Sequence, residues 1–206
     1  MNPNLRKSLI LALLFLFHTL EAKTIYYKQL SKQFDLEVSV RLNTTNNPYL
    51  DSTYLRIRIF EKGSKMILQT IRKPIYSRWH GWYTDLKNSR SYSTHYNEKK
   101  PVIDDDFGDV VVADLNFDGL DDFAVTYDHG ADNGNHYYFY FQRPNKTFYR
   151  QVYLTENMVH FPYLIDPIRQ QLITRTAAGA CCVGERIFQY SVERNSWVLH
   201  SSRVLE

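Results

Sequence analysis

The sequence predicts an all-β protein: a single domain of successive antiparallel hairpins laid down as a meander. Three observations predict it. Apolar and polar residues alternate with period two along most of the chain, the mark of half-buried strands. Clusters of Gly, Pro, Asn and Asp break these runs where hairpin turns belong. Tyrosine (16) and phenylalanine (12) are abundant, as pleated surfaces favour, and no sustained helical period follows residue 22.

The elements follow in order. Residues 1–22 read as a secretory signal peptide: Arg6 and Lys7 form a basic start, Leu9 to Leu20 is apolar, and Ala22 offers a small residue at the cut. The apolar run falls short of the roughly twenty residues a membrane span needs. No cysteine follows the cut to carry a lipid, so no membrane anchor is expected after cleavage. Residues 23–206 then form one domain, exported across the inner membrane to the periplasm. Phe34, Leu36, Val38, Val40 and Leu42 alternate with Asp35, Glu37, Ser39 and Arg41. Leu55, Ile57 and Ile59 alternate with Arg56 and Arg58, and a turn at Glu61-Lys62-Gly63-Ser64 leads to a returning strand over 65–71. The stretch 74–101 is polar and aromatic. Its Trp79-His80-Gly81-Trp82-Tyr83 segment fits either a core-filling bulge or a surface binding patch. Further strands are expected over 110–114, 122–128, 136–142, 148–154, 170–176, 185–192 and 196–204.

The densest chemistry lies in Asp114-Leu115-Asn116-Phe117-Asp118-Gly119-Leu120-Asp121-Asp122. Oxygen-bearing side chains fall at loop positions 1, 3, 5 and 9, with glycine at position 6. A hard cation such as Ca²⁺ takes six to eight oxygens, and alternate positions of a tight loop can converge on it. Asp114, Asn116, Asp118 and Asp122 are the expected side-chain ligands, with the Leu120 carbonyl at position 7. Gly119 is expected to take the left-handed turn. The flanks read as strands, and position 12 is Val125 rather than the Glu of a helix-loop-helix site, so Asp122 stands as the bidentate ligand. The spacing suits a structural ion. The competing account is an acidic hairpin turn, which also favours Asp, Asn and Gly.

The only cysteines, Cys181 and Cys182, are adjacent. An oxidising compartment favours a bridge, and neighbouring residues can form one only through a tight ring. Free thiols and an intermolecular bridge are the alternatives. The segment Ala178-Gly179-Ala180-Cys181-Cys182 is a candidate partner-binding loop of small residues.

Other chemistry is sparse. No HExxH, GxSxG, Walker A or GxGxxG motif occurs, so no enzyme is expected. Asp104-Asp105-Asp106 and Asp109 read as a solvated turn or further metal oxygens rather than paired catalytic carboxylates. The histidines show no ligand spacing. The formal charge is +3, or +2 once Arg6, Lys7 and Glu21 are removed, and the basic residues are scattered, so nucleic acid is not indicated.

The acidic loop, the following Gly134-Asn135-x-x-Tyr138 strand, Phe148, the segment Leu164 to Pro167, and Arg175-x-Ala-Ala-Gly-Ala together carry a resemblance. Across 102–206 the chain resembles secreted calcium-binding proteins of the Xanthomonas immunity-protein type, related in fold to periplasmic inhibitors of invertebrate-type lysozyme. The resemblance implies a β-propeller-like fold, a bound Ca²⁺ and a partner: a peptidoglycan-degrading, lysozyme-like effector enzyme. It implies inhibition by a loop that enters the glycan cleft. Where the lysozyme inhibitors carry Ser-Gly-x-x-Tyr, this chain has Ala178-Gly179-Ala180-Cys181-Cys182, with both the Ser and the Tyr replaced. The alternative from another class is a secreted carbohydrate- or surface-binding calcium-loop module, with Trp79, Trp82 and Tyr83 as its platform.

Overall fold

A computed structural model describes residues 24–43, 52–75, 86, 88–103, 105–128, 134–179 and 181–205. The leader and the Trp79–Tyr83 segment lie outside them. The described residues form thirteen strands in three sheets. The N-terminal sheet is β1 (Thr24–Tyr27), β2 (Phe34–Asn43), β3 (Ser52–Glu61) and β4 (Ile67–Ile75), side by side in chain order. The central sheet is β5 (Ser89–Ser91), β6 (Val110–Ala113), β7 (Asp122–Asp128), β8 (His136–Gln142) and β9 (Phe148–Arg150). The C-terminal sheet is β10 (Leu164–Asp166), β11 (Gln171–Ala177), β12 (Val183–Ser191) and β13 (Ser196–Leu205). In each sheet the strands lie side by side in chain order, antiparallel except for one pair.

The sheets stack in three layers. One face of the central sheet, with Val110, Val112, Phe123, Val125, Tyr138 and Tyr140, packs on Phe34, Leu36, Val38, Leu55, Ile57 and Ile59 of the N-terminal sheet. Phe34 sits in this layer, edge-on to Phe148 at 5.0 Å and to Phe123 at 6.2 Å between ring centroids. The opposite face, with Val111, Ala113, Ala124, Tyr137, Phe139 and Phe141, packs on Leu172, Phe188 and Trp197 of the C-terminal sheet. A strand buried on both faces loses its alternation, which is why β6 reads as the unbroken run Val-Val-Val-Ala. Each large side chain so buried contributes about 1.5–3 kcal/mol.

The outer face of the N-terminal sheet is more closed than period two suggests. Glu37 is fully covered by Arg56 and Arg58 of the neighbouring strand. Burial is the largest single influence and opposes its charge, but hydrogen bonds from Arg58 and Tyr26 and the charges of Arg58 and Arg56 together outweigh it and hold its pKa below the usual carboxylate range.

Three features differ from the sequence expectation. The strand expected over 148–154 stops at Arg150, and Leu154–Met158 form one π-helical turn. Leu154, Thr155 and Met158 are all buried, a spacing that a helical turn can put on one face and a strand cannot. Strands β1, β5 and β10 span only three or four residues, too few to show a period. Finally, β5 pairs with β6 in parallel, the single parallel pair among the described strands, and the long connection 92–109 permits it.

Candidate functional site

The loop 114–122 joins β6 to β7, and its neighbours come from all three sheets. Asp121 accepts hydrogen bonds from Ser31 Oγ at 2.5 Å and from the Lys32 amide at 3.2 Å, in the β1–β2 connection. Gln33 donates to the Gly119 carbonyl at 3.3 Å and accepts from the Asp121 amide at 3.2 Å. Phe117 meets Trp197 of β13 at 6.4 Å between centroids. Asp122 accepts from the Gln142 amide at the end of β8 at 2.8 Å and from the Leu115 amide at 3.0 Å. Periodicity gave no hint of these ties.

Inside the loop the polar groups hold its own backbone. Asp114 accepts from the Asp118 amide at 3.1 Å and the Gly119 amide at 2.9 Å. Asp118 accepts from the Leu120 amide at 2.8 Å and from Asn116 Nδ2 at 2.9 Å. Gly119 has φ +82°, as expected, and Phe117 is also left-handed at φ +64°, which is rare for a bulky residue. Among the described residues no three Asp, Glu, His or Cys side chains gather as a metal-holding group.

The most perturbed carboxylate of the loop is Asp122. It is fully buried. Burial first, with Asp118 and Asp114 close by, pushes its pKa up to about 8. Burial likewise raises the pKa of Asp114, with Asp118 adding to it. A carboxylate keeps about four acceptor sites, so the two amide bonds to Asp122 leave room for a metal. A cation there would replace the Asn116–Asp118 bond and supply the counter-charge.

The second candidate is the tip of the β11–β12 hairpin. Cys181 and Cys182 form a vicinal disulfide. The Ala178 amide donates to the Cys182 carbonyl at 2.8 Å, and Gly179 turns with φ +80°. Ala177, Gly179, Cys181 and Val183 are exposed. Ala180 lies outside the described residues. At the base of the tip Glu185 is covered by Arg175 of β11 and Arg203 of β13, at 2.9 and 2.5 Å. The hydrogen bonds from Arg203 and then Arg175 hold its pKa below the usual range.

The acidic run ahead of the loop has structural bonds. Asp106 accepts from the Gly108 amide at 2.9 Å and from buried Asn135 at 2.8 Å, and Asp109 accepts from the Asn88 amide at 3.2 Å. His136 and His160 touch, with centroids 5.2 Å apart. Their sequence separation concealed this contact. Comparison with models of known families, with curated proteins and with solved structures finds no match. Among the described residues no helix is long and apolar enough to cross a membrane.

Proposed function

We propose that this is a periplasmic immunity protein, an inhibitor that occludes a peptidoglycan-degrading, lysozyme-like effector, with Ca²⁺ held by loop 114–122. The observation that supports the reading is the hairpin tip. Strands β11 and β12 run past buried Glu185, and the turn that joins them beyond that row is built of small residues. Two bonds stiffen that turn: the vicinal disulfide and the Ala178–Cys182 hydrogen bond. A loop that must enter a cleft gains affinity from being ordered in advance. Ca²⁺ serves the frame, because its loop ties the three sheets together.

The test is capture from periplasmic extract with residues 23–206, then titration of the captured hydrolase. The protein should inhibit it, and Gly179→Arg should weaken inhibition at least about tenfold. A Cβ at Gly179 meets nothing within 4 Å, so the added bulk is tolerated sterically. The left-handed backbone there costs about 1–2 kcal/mol, which Gly179→Asn controls for, since Asn visits that region most readily. Equal inhibition by wild type and Gly179→Arg, or capture of no hydrolase, overturns the reading.

A further inference from the structure

A groove of about 440 Å³ between the N-terminal and central sheets has a chemistry that neither the metal loop nor the hairpin tip uses. That volume lies in the range of small-ligand sites. One wall is the end of β4, with Lys73 and Pro74. The floor is Tyr127 and Tyr138, stacked with ring centroids 4.3 Å apart. The other wall carries Arg150 at the end of β9 and Glu156 of the π turn. The Tyr138 hydroxyl donates to the Pro74 carbonyl at 3.0 Å, which ties floor to wall. The Arg150 guanidinium lies 6.0 Å from the Tyr138 centroid, and its contact with Glu156 is loose at 3.9 Å.

Two cations and one carboxylate leave the groove net positive. Partly exposed Tyr127 offers a flat amphipathic ring to an apolar face. A cation beside that ring makes a charge-assisted hydrogen bond to a carboxylate. Glu156 can accept from a hydroxyl. We propose that this groove binds an acidic saccharide unit, a pyranose bearing one carboxylate. The sugar ring lies against Tyr127, the carboxylate engages Lys73 and Arg150, and a hydroxyl donates to Glu156. A neutral sugar brings no counter-charge for the groove's net positive charge, and a simple carboxylate leaves the tyrosine floor bare. None of these residues is on β11 or β12, so the proposal stands apart from the hairpin-tip reading.

The test is calorimetric titration of the purified protein with glucuronate, galacturonate and N-acetylneuraminate, with glucose and acetate as the two partial ligands. At least one sugar acid should bind saturably, about tenfold or more tighter than either glucose or acetate. Lys73→Gln, Arg150→Gln and Tyr127→Ala should each weaken it about fivefold or more. Lys73→Gln and Arg150→Gln should leave the melting temperature and any hydrolase inhibition unchanged. Three results overturn the proposal: no saturable binding of any of the three acids, equal binding of acetate, or affinity indifferent to Lys73→Gln and Arg150→Gln.

Discussion

Replacing Asp122 by asparagine should change stability in opposite directions with and without calcium. Asp122 is fully buried, and burial, with Asp118 and Asp114 adding to it, sets its pKa at about 8 in the metal-free fold. In the unfolded chain the value is about 3.9. Between the two the folded state holds a proton that the unfolded state has lost. Stability therefore falls as pH rises from about 4 to about 8. The difference of about 4, at about 1.36 kcal/mol each, amounts to about 5 kcal/mol. Asparagine carries no charge and escapes this loss. It keeps one oxygen for two amide donors, Leu115 and Gln142. The unmet amide costs about 1–3 kcal/mol. In chelator at pH 8 the variant should thus be more stable by about 2–4 kcal/mol. Calcium acts on the wild type alone, adding about 2.7 kcal/mol at a hundredfold excess over Kd and about 4.1 at a thousandfold. The gap should close and then reverse as calcium rises. The assay is urea unfolding followed by tryptophan fluorescence at pH 6.5 and 8, where the half-buried histidines contribute little, in chelator and in graded calcium. In chelator the wild type should lose about 2 kcal/mol between these pH values and the variant almost none. The reasoning is refuted if the variant is the less stable protein in chelator at pH 8 and calcium leaves the wild type unchanged.

Three further outcomes are expected. Burial, and then His136 beside it, lowers the His160 pKa to about 4; the folded value lies below the unfolded one, so stability falls as pH drops below about 6.5, by at most about 2 kcal/mol at pH 5. Thermal melts at pH 5 and 7 should show this loss reduced in His160→Gln, and an identical pH dependence would contradict it. The unreduced protein should weigh two hydrogens less than its reduced form, while replacing both Cys181 and Cys182 by Ser should shift stability by no more than about 0.5 kcal/mol, because the tip lies beyond the core. A larger loss would mean the bridge supports the fold as well as the loop. Phe34→Ala should cost about 3–5 kcal/mol in urea unfolding, since its ring packs on Phe123 and Phe148 at 1% exposure; a cost below about 1 kcal/mol would displace Phe34 from the core.

The strands that alternate were legible in the sequence. β2, β7, β8, β11 and β13 begin and end within a residue or so of where period two and turn chemistry put them. What was not legible has physical causes. A three-residue strand such as β5 carries no period, and its placement depends on a partner, β6, distant in sequence. The π turn at 154–158 was hidden because Leu154, Thr155 and Met158 form only one turn, and one turn can pass for a strand end. The turn at Gly119 in the acidic loop could be read from spacing alone. Its neighbours could not, since Ser31, Gln142 and Trp197 reach it only through tertiary packing.

Those neighbours give the loop its role. A calcium loop at the end of a single hairpin would stabilise that hairpin alone. Here Asp121 and Gln33 fasten the loop to the N-terminal sheet, Asp122 fastens it to β8, and Phe117 rests on Trp197 of the C-terminal sheet. Trp197 pairs with Tyr190 of β12, whose other end opens the hairpin tip. The proposed ion, by neutralising Asp122, would act on the frame from which the tip projects, while the tip itself is closed by its own disulfide and its Ala178–Cys182 bond. Rigidity of the frame and rigidity of the tip come from separate sources, so a change in one should leave the other standing. That separation makes the acidic loop and the hairpin tip independently testable.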